Sequence, residues 1–190
     1  KLPIFTQSEL NPNQTTYMSL IHQKFSYDFP TNIRFGIGVI KELPAYFKKH
    51  GLSKPLVVTD PVVSKLPHFE EIIRHLQENG IHVQTFSGIH RVPQKSDVMA
   101  GVDAFRGEKR DSILSMGGGT CSTVARAIAL MVNHSGDLFD YEEKNDGEAK
   151  ITEPLPHLIT VPFTAGSGSE AARSAIISDD ETKEKKLILS

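Results

Sequence analysis

The sequence predicts an α/β fold: a Rossmann-like parallel sheet with helices on both faces and an N-terminal β-hairpin. Between Val39 and Val132, short apolar runs alternate with apolar stripes at helical spacing. That β-α-β-α rhythm closes into a parallel sheet covered by helices. Two glycine-rich turns, Gly117-Gly118-Gly119-Thr120 and Ala165-Gly166-Ser167-Gly168-Ser169-Glu170, each follow a short apolar run, Ser112 to Met116 and His157 to Val161. Strand, glycine turn and helix together aim unpaired backbone N–H groups and the positive helix end at a phosphate. Glycine lets a pyrophosphate approach the backbone that a Cβ would block. A triple glycine alone also reads as a loop with unusual φ angles. The second turn, after another predicted strand, favours a nucleotide site.

The elements follow in order. Residues 1–24 are polar and turn-rich, as expected of an arm, and residues 25–190 form the α/β domain. Phe25 to Phe35 alternates loosely around Pro30-Thr31-Asn32, which predicts a hairpin. Val39, Ile40, Leu43 and Phe47 repeat at helical spacing, with Gly51 as the stop. Leu56 to Asp60 is a buried-type strand ending in a carboxylate, and Phe69, Ile72, Ile73 and Leu76 stripe a helix closed by Asn79-Gly80. Ile81 to Phe86 alternates strictly and predicts a strand. Val98, Val102 and Phe105 mark a helix starting near Ser96, and Val124, Ala125, Ile128, Ala129 and Val132 mark the helix after the triple glycine. Tyr141 to Lys150 is charged and aperiodic, which predicts a surface loop. Ala175 to Ser178 and Lys186 to Leu189 flank a polar turn as strand, turn, strand.

Composition narrows the class. A hydrophobic content of 38% with 23% charged residues is that of a globular chain rather than a disordered one. The formal net charge of -2 supplies no basic field, which argues against nucleic acid or a membrane surface as partner. No window approaches the roughly 18 apolar residues of a membrane span. Cys121 is the single cysteine, so an intrachain disulfide is excluded and a reducing, cytoplasmic setting is expected. Its place at a helix start would favour a lowered thiol pKa, although a small packing residue is the preferred reading. The eight histidines form no zinc-type cluster with it. His82 and His90 read as solvated or locally hydrogen-bonded, and His134 as a cap on the preceding helix.

The order of these blocks resembles the iron-containing, or group III, alcohol dehydrogenase family in its N-terminal half. The matching pieces are Phe35-Gly36-Ile37-Gly38, Val57-Val58-Thr59-Asp60, Gly117-Gly118-Gly119-Thr120, the long block Val161 to Glu170, and Lys185-Lys186. The long block is the most specific, since the family typically writes Pro-Thr-Thr-Ala-Gly-Thr-Gly-Ser-Glu there. The resemblance implies a nicotinamide dinucleotide, NAD with NADP as second choice, whose pyrophosphate lies on Gly117, Gly118, Gly119 and Thr120. It implies that Asp60 accepts from the adenosine ribose hydroxyls and repels a 2′-phosphate. It places Phe163 and Thr164 on the adenine side, and Ser169 and Lys186 near the nicotinamide ribose. Read without the resemblance, Asp60 is a turn former before Pro61 and Lys186 an ordinary surface lysine.

The resemblance further implies a small alcohol or aldehyde as substrate and hydride transfer as the reaction. A divalent metal, iron or zinc, is expected in a helical C-terminal domain beyond Ser190, so these 190 residues alone are expected to be inactive, with no catalytic residue or metal ligand assigned within them. The exposed edge of such a half invites self-association, a homodimer being the simplest form. Two departures stand out: Thr123 replaces an aspartate and Arg126 a lysine of the family's Gly-Gly-Gly-Ser-x-x-Asp-x-Ala-Lys pattern. Phe163 replaces a threonine, and Val92 precedes Pro93 where the family often has asparagine. The competing readings are a lyase related to dehydroquinate synthase and a non-catalytic nucleotide-binding module.

Overall fold

The computed structural model describes residues 31–189. The chain divides into units of residues 1–32 and 33–190, and the second carries the fold. The predicted arm, and the Phe25 to Pro30 part of the predicted hairpin, lie outside the described residues; Thr31 to Phe35 contain no strand.

The first predicted helix is two pieces, a 3₁₀ turn at Val39–Glu42 and the helix α1 at Leu43–Lys49. Pro44 suits the first turn because its missing N–H has no helical acceptor there. Gly51, at φ 68°, ends α1, and Leu52 N–H closes back on Phe47 C=O at 2.9 Å. Strand β1 (Pro55–Val58), helix α2 (Pro67–Glu78), strand β2 (Gln84–Phe86), helix α3 (Lys95–Gly107), strand β3 (Ser112–Gly117), helix α4 (Gly119–Met131) and strand β4 (His157–Pro162) follow. Strand β2 is shorter than its alternation predicts. Ile81 N–H is spent on Leu76 C=O at the end of α2, and His82 N–H bonds Ser53 C=O instead of joining the ladder. Helix α3 starts one residue before Ser96, with Gln94 and Asp97 forming a reciprocal capping box.

The four strands form one parallel sheet in the order β2-β1-β3-β4. Alternate side chains of each strand go to opposite faces, and two apolar clusters record this. Leu56, Val58 and Ile113 pack with α3 and α4, whereas Val57, Leu114 and Met116 pack with α1 and α2. Helices therefore cover both faces, as predicted. Strands β5 (Ser174–Ser178) and β6 (Lys185–Leu189) pair as a separate antiparallel hairpin. Ala175, Ile177 and Ile188 join the α4 cluster.

The stretch expected to be a charged surface loop is more ordered than that. Three 3₁₀ turns, Leu138–Tyr141, Glu143–Asn145 and Gly147–Lys150, pack Tyr141, Glu142 and Gly147 inside. Short turns of period three leave no 3.6-residue stripe to read in a sequence. His134 holds this segment as well as capping α4. Its Nδ1 lies 2.8 Å from Leu130 C=O, and its Nε2 accepts the N–H groups of Thr152 and Glu153 at 3.2 and 3.1 Å. An Nε2 that accepts twice puts the proton on Nδ1.

Candidate dinucleotide site

The strand order sets where a ligand crevice opens. From β1 the chain passes to β2 on one side, and from β3 it passes to β4 on the other. The gap beyond the carboxyl ends of β1 and β3 is the topological switch point of the sheet, the place where open α/β sheets bind ligands. Asp60 lies two residues past Val58 on β1, and Gly117 two residues past its partner Ser115 on β3.

Asp60 is fixed on both carboxylate oxygens. Oδ1 accepts the N–H groups of Val62 and Val63, each at 2.8 Å, so the turn-forming reading of this residue is observed. Oδ2 accepts the Cys121 thiol at 3.4 Å and stands 3.6 Å from where a Cβ on Gly117 would be. A helix-start thiol with a lowered pKa does not describe Cys121. Burial pushes its pKa up to about 12, and the Asp60 carboxylate reinforces the shift. The residue is packing, as the sequence preferred.

The glycines differ in what they are for. Gly117 has φ 148°, and a Cβ there would meet Cys121 Sγ at 2.4 Å, so the turn itself demands glycine. Gly118, at φ −87° and ψ −167°, is ordinary extended backbone that caps α4 and has no side chain to accept from its first N–H groups. A Cβ on Gly118 would stand 3.3 Å from Thr164 Oγ1, and one on Gly119 would stand 3.9 Å from the Cβ atoms of Ser167 and Ser169. The two glycine-rich turns thus face each other across the start of α4, and glycine at 118 permits the close approach of Thr164. Uncapped N–H groups at the start of α4 and the hydroxyls of the facing turn are donors of the kind a diphosphate takes.

Other predicted residues fall around the same point. Phe163 N–H bonds Gly117 C=O at 2.8 Å, and its ring is half-buried against the cluster of Val57, Leu114 and Met116. Thr164 is exposed, whereas Thr120 and Ser169 are half-buried. Ser169 N–H donates to Ser167 Oγ at 3.3 Å, and the two hydroxyls are 3.0 Å apart. Lys186 stands outside this set of contacts. Its ammonium faces Glu184 at 3.5 Å, the buried Glu142 at 3.7 Å, and the Phe139 ring at 5.1 Å from the centroid.

The structural roles of two residues of this region were not anticipated from the sequence. Arg126 is only 6% exposed, and its guanidinium donates to the backbone carbonyls of Ser169 and Ser174. Its signal was present: it is the one charge between Cys121 and Val132. Glu142 bridges Lys144, at 3.0 Å, and Lys186; an aperiodic charged stretch offered no sign of that. Among the described residues, no group of three or more His, Cys, Asp or Glu side chains is placed to hold a metal ion. No helix among them is long and apolar enough to cross a membrane.

The fold and the paired glycine turns define a Rossmann-like domain whose two glycine-rich turns meet at its switch point. The family described as iron-containing alcohol dehydrogenase matches residues 30–190, and the chain belongs to that family. Choline dehydrogenase of Bacillus subtilis (strain 168) is 36% identical over 164 residues, which are 86% of this chain and 40% of that protein. The crystal structure of 1,3-propanediol oxidoreductase superposes with a TM-score of 0.78 at 32% identity, covering 88% of this chain and 43% of that one. NADH-dependent butanol dehydrogenase A of Thermotoga maritima gives a TM-score of 0.77 at 28% identity, covering 88% and 42%. The chain spans less than half the length of these relatives.

Proposed function

We propose that this chain is the cofactor-binding half of an NAD-dependent, metal-dependent alcohol dehydrogenase that interconverts an alcohol and an aldehyde. The observation that carries the reading is the facing of the two glycine-rich turns over an uncapped helix start at the switch point of the parallel sheet. A nicotinamide dinucleotide supplies the hydride chemistry when bound, and the residues of this chain position it. Gly117 to Thr120 present backbone N–H groups to the pyrophosphate. Asp60, held by Val62 and Val63 at the end of β1, would serve as a ribose acceptor and as a charge that disfavours a 2′-phosphate. Phe163 and Thr164 border the adenine side, and Ser169 the ribose on the nicotinamide side. Lys186 belongs to that side too, with Glu142 and Glu184 fixing its ammonium.

The names of the relatives, which act on choline, propanediol and butanol, support a small alcohol as the substrate class. An iron or zinc ion is proposed for the full-length protein on the family's description, with no ligand assigned to it among the described residues. The buried, unpaired Cys121 suits a cytoplasmic location. The test is alcohol-dependent reduction of NAD by the full-length protein with iron or zinc supplied. Turnover that a chelator abolishes supports the proposal. Absence of turnover across short alcohols and diols, with intact NAD binding, would leave a nucleotide-binding module instead.

A further inference from the structure

We propose that Arg126 is a positioning residue that locks the second glycine-rich turn onto the helix carrying the first; its effect on nucleotide affinity rests on the function proposed above. Helix α4 begins at Gly119, within the first turn, and Arg126 lies about two helical turns further on. The second turn is a separate excursion of the chain between β4 and β5. Within the turn the bonds are short-range: Ala171 N–H to Gly168 C=O, Ala172 N–H to Ser169 C=O, and the Ser167–Ser169 contacts. Besides Arg126, the excursion is held from outside by Phe163 N–H on Gly117 C=O and by the exposed Arg173–Glu148 pair.

One buried side chain ties that excursion down at two places. Nη1 of Arg126 donates to Ser174 C=O at 3.1 Å, at the entry to β5, and Nη2 donates to Ser169 C=O, inside the turn. The four residues between these carbonyls are thereby pinned at both ends. Burial pulls the guanidinium pKa down, and the neighbouring Glu170 carboxylate opposes this. Such a desolvated cation persists where its donors are satisfied. The pinned serine, Ser169, lies across from Gly119, so the width of the gap depends on this clasp.

The geometry requires the fork of an arginine. A planar guanidinium presents two donors in fixed directions, whereas a lysine ammonium is a point charge at the end of a flexible stem. Lysine reaches one carbonyl and leaves the other buried and unpaired.

The experiment compares the full-length wild type with Arg126→Lys and Arg126→Met. Amide hydrogen exchange without nucleotide reads the clasp directly. Faster exchange confined to residues 165–174, with β3 unchanged, is the expected result for Arg126→Lys. NADH titration by fluorescence is expected to show affinity weakened about tenfold in Arg126→Lys and further in Arg126→Met, on the scale of a charge-assisted hydrogen bond. KM for NAD is expected to rise with kcat little changed. Unaltered exchange at residues 165–174 in Arg126→Lys overturns the proposal, as does exchange that rises equally in β3, which would mark a general packing role. Loosened exchange in a protein whose wild type fails to bind NADH upholds the clasp and removes the nucleotide reading.

Discussion

The carboxylate of Asp60 accepts the Cys121 thiol at 3.4 Å, joining the end of β1 to the first turn of α4 across the switch point of the sheet. The contact decides the chemistry of the only cysteine. A helix start favours thiolate, but burial and the adjacent carboxylate both favour the neutral thiol, and together they win.

Cys121 is therefore expected to resist alkylation at neutral pH in the folded protein and to react at once in denaturant. The sign for stability follows. With a folded pKa of about 12 against an ordinary 9.0, the unfolded chain loses this proton first as pH rises. Stability from the thiol is full below pH 9 and falls away between pH 9 and 12. Iodoacetamide labelling read by mass spectrometry checks the first statement; rapid labelling of native protein at pH 7 contradicts it.

Asp111 fastens the loop before β1 to the start of β3. Its Oδ2 accepts Ser53 and Lys54 N–H at 2.7 and 2.9 Å, and its Oδ1 accepts Ser112 Oγ at 2.7 Å. Burial alone would raise its pKa, but these bonds together hold it below the ordinary 3.8. Its contribution is present above pH 3.8 and is lost as pH falls through the lower folded value. Asp111→Ala is expected to cost about 1–2 kcal/mol at pH 7, allowing for partial exposure. Urea melts at pH 7 and pH 3 measure this, and the difference between variant and wild type is expected to shrink at the lower pH.

Two glycines are required by packing. A Cβ on Gly101 in α3 would stand 2.2 Å from Ile128 Cδ1, and Ile128 is fully buried with nowhere to swing. A Cβ on Gly147 would stand 2.1 Å from backbone atoms of Tyr141. Gly101→Ala is expected to destabilise by about 1–3 kcal/mol, and Gly147→Ala by at least as much, since backbone yields less than a side chain. Thermal melts in which either variant matches wild type contradict these contacts.

The parts of the fold legible in the sequence are those with a repeating pattern. Val57 and Val58, Ser112 to Met116 and the Val124 to Val132 stripe announced strands and a helix because burial on one or two faces imposes periods of two and 3.6. Ile81 to Val83 misled because their alternation is real but their N–H groups close the end of α2 and bond Ser53. Tyr141 and Glu142 were illegible because their burial depends on β6, through a bridge between Glu142 and Ile188, 46 residues further on. At the site, glycines and Asp60 carry local signatures. The clasp of Arg126 on Ser169 and Ser174 is a long-range contact that no local pattern encodes.

Asp60 is expected to set cofactor choice through its charge. Asp60→Asn keeps an oxygen for Val62 and Val63 N–H, so the turn survives while the charge is gone. The preference for NAD over NADP is expected to narrow about tenfold or more, the scale of one like-charge repulsion at a partly exposed site. Paired titrations with NADH and NADPH give the ratio. An unchanged ratio removes Asp60 from the ribose.

The two facing glycine turns are proposed to hold the pyrophosphate, and calorimetric titration of NAD into wild type and Gly118→Val tests this most directly. Gly118 has ordinary backbone angles, so valine fits the chain but fills the space beside Thr164, where a Cβ alone already comes within 3.3 Å of the hydroxyl. A folded variant, with its melting temperature close to wild type and no detectable NAD binding, is the expected result. Equal affinity in the two proteins would place the nucleotide elsewhere.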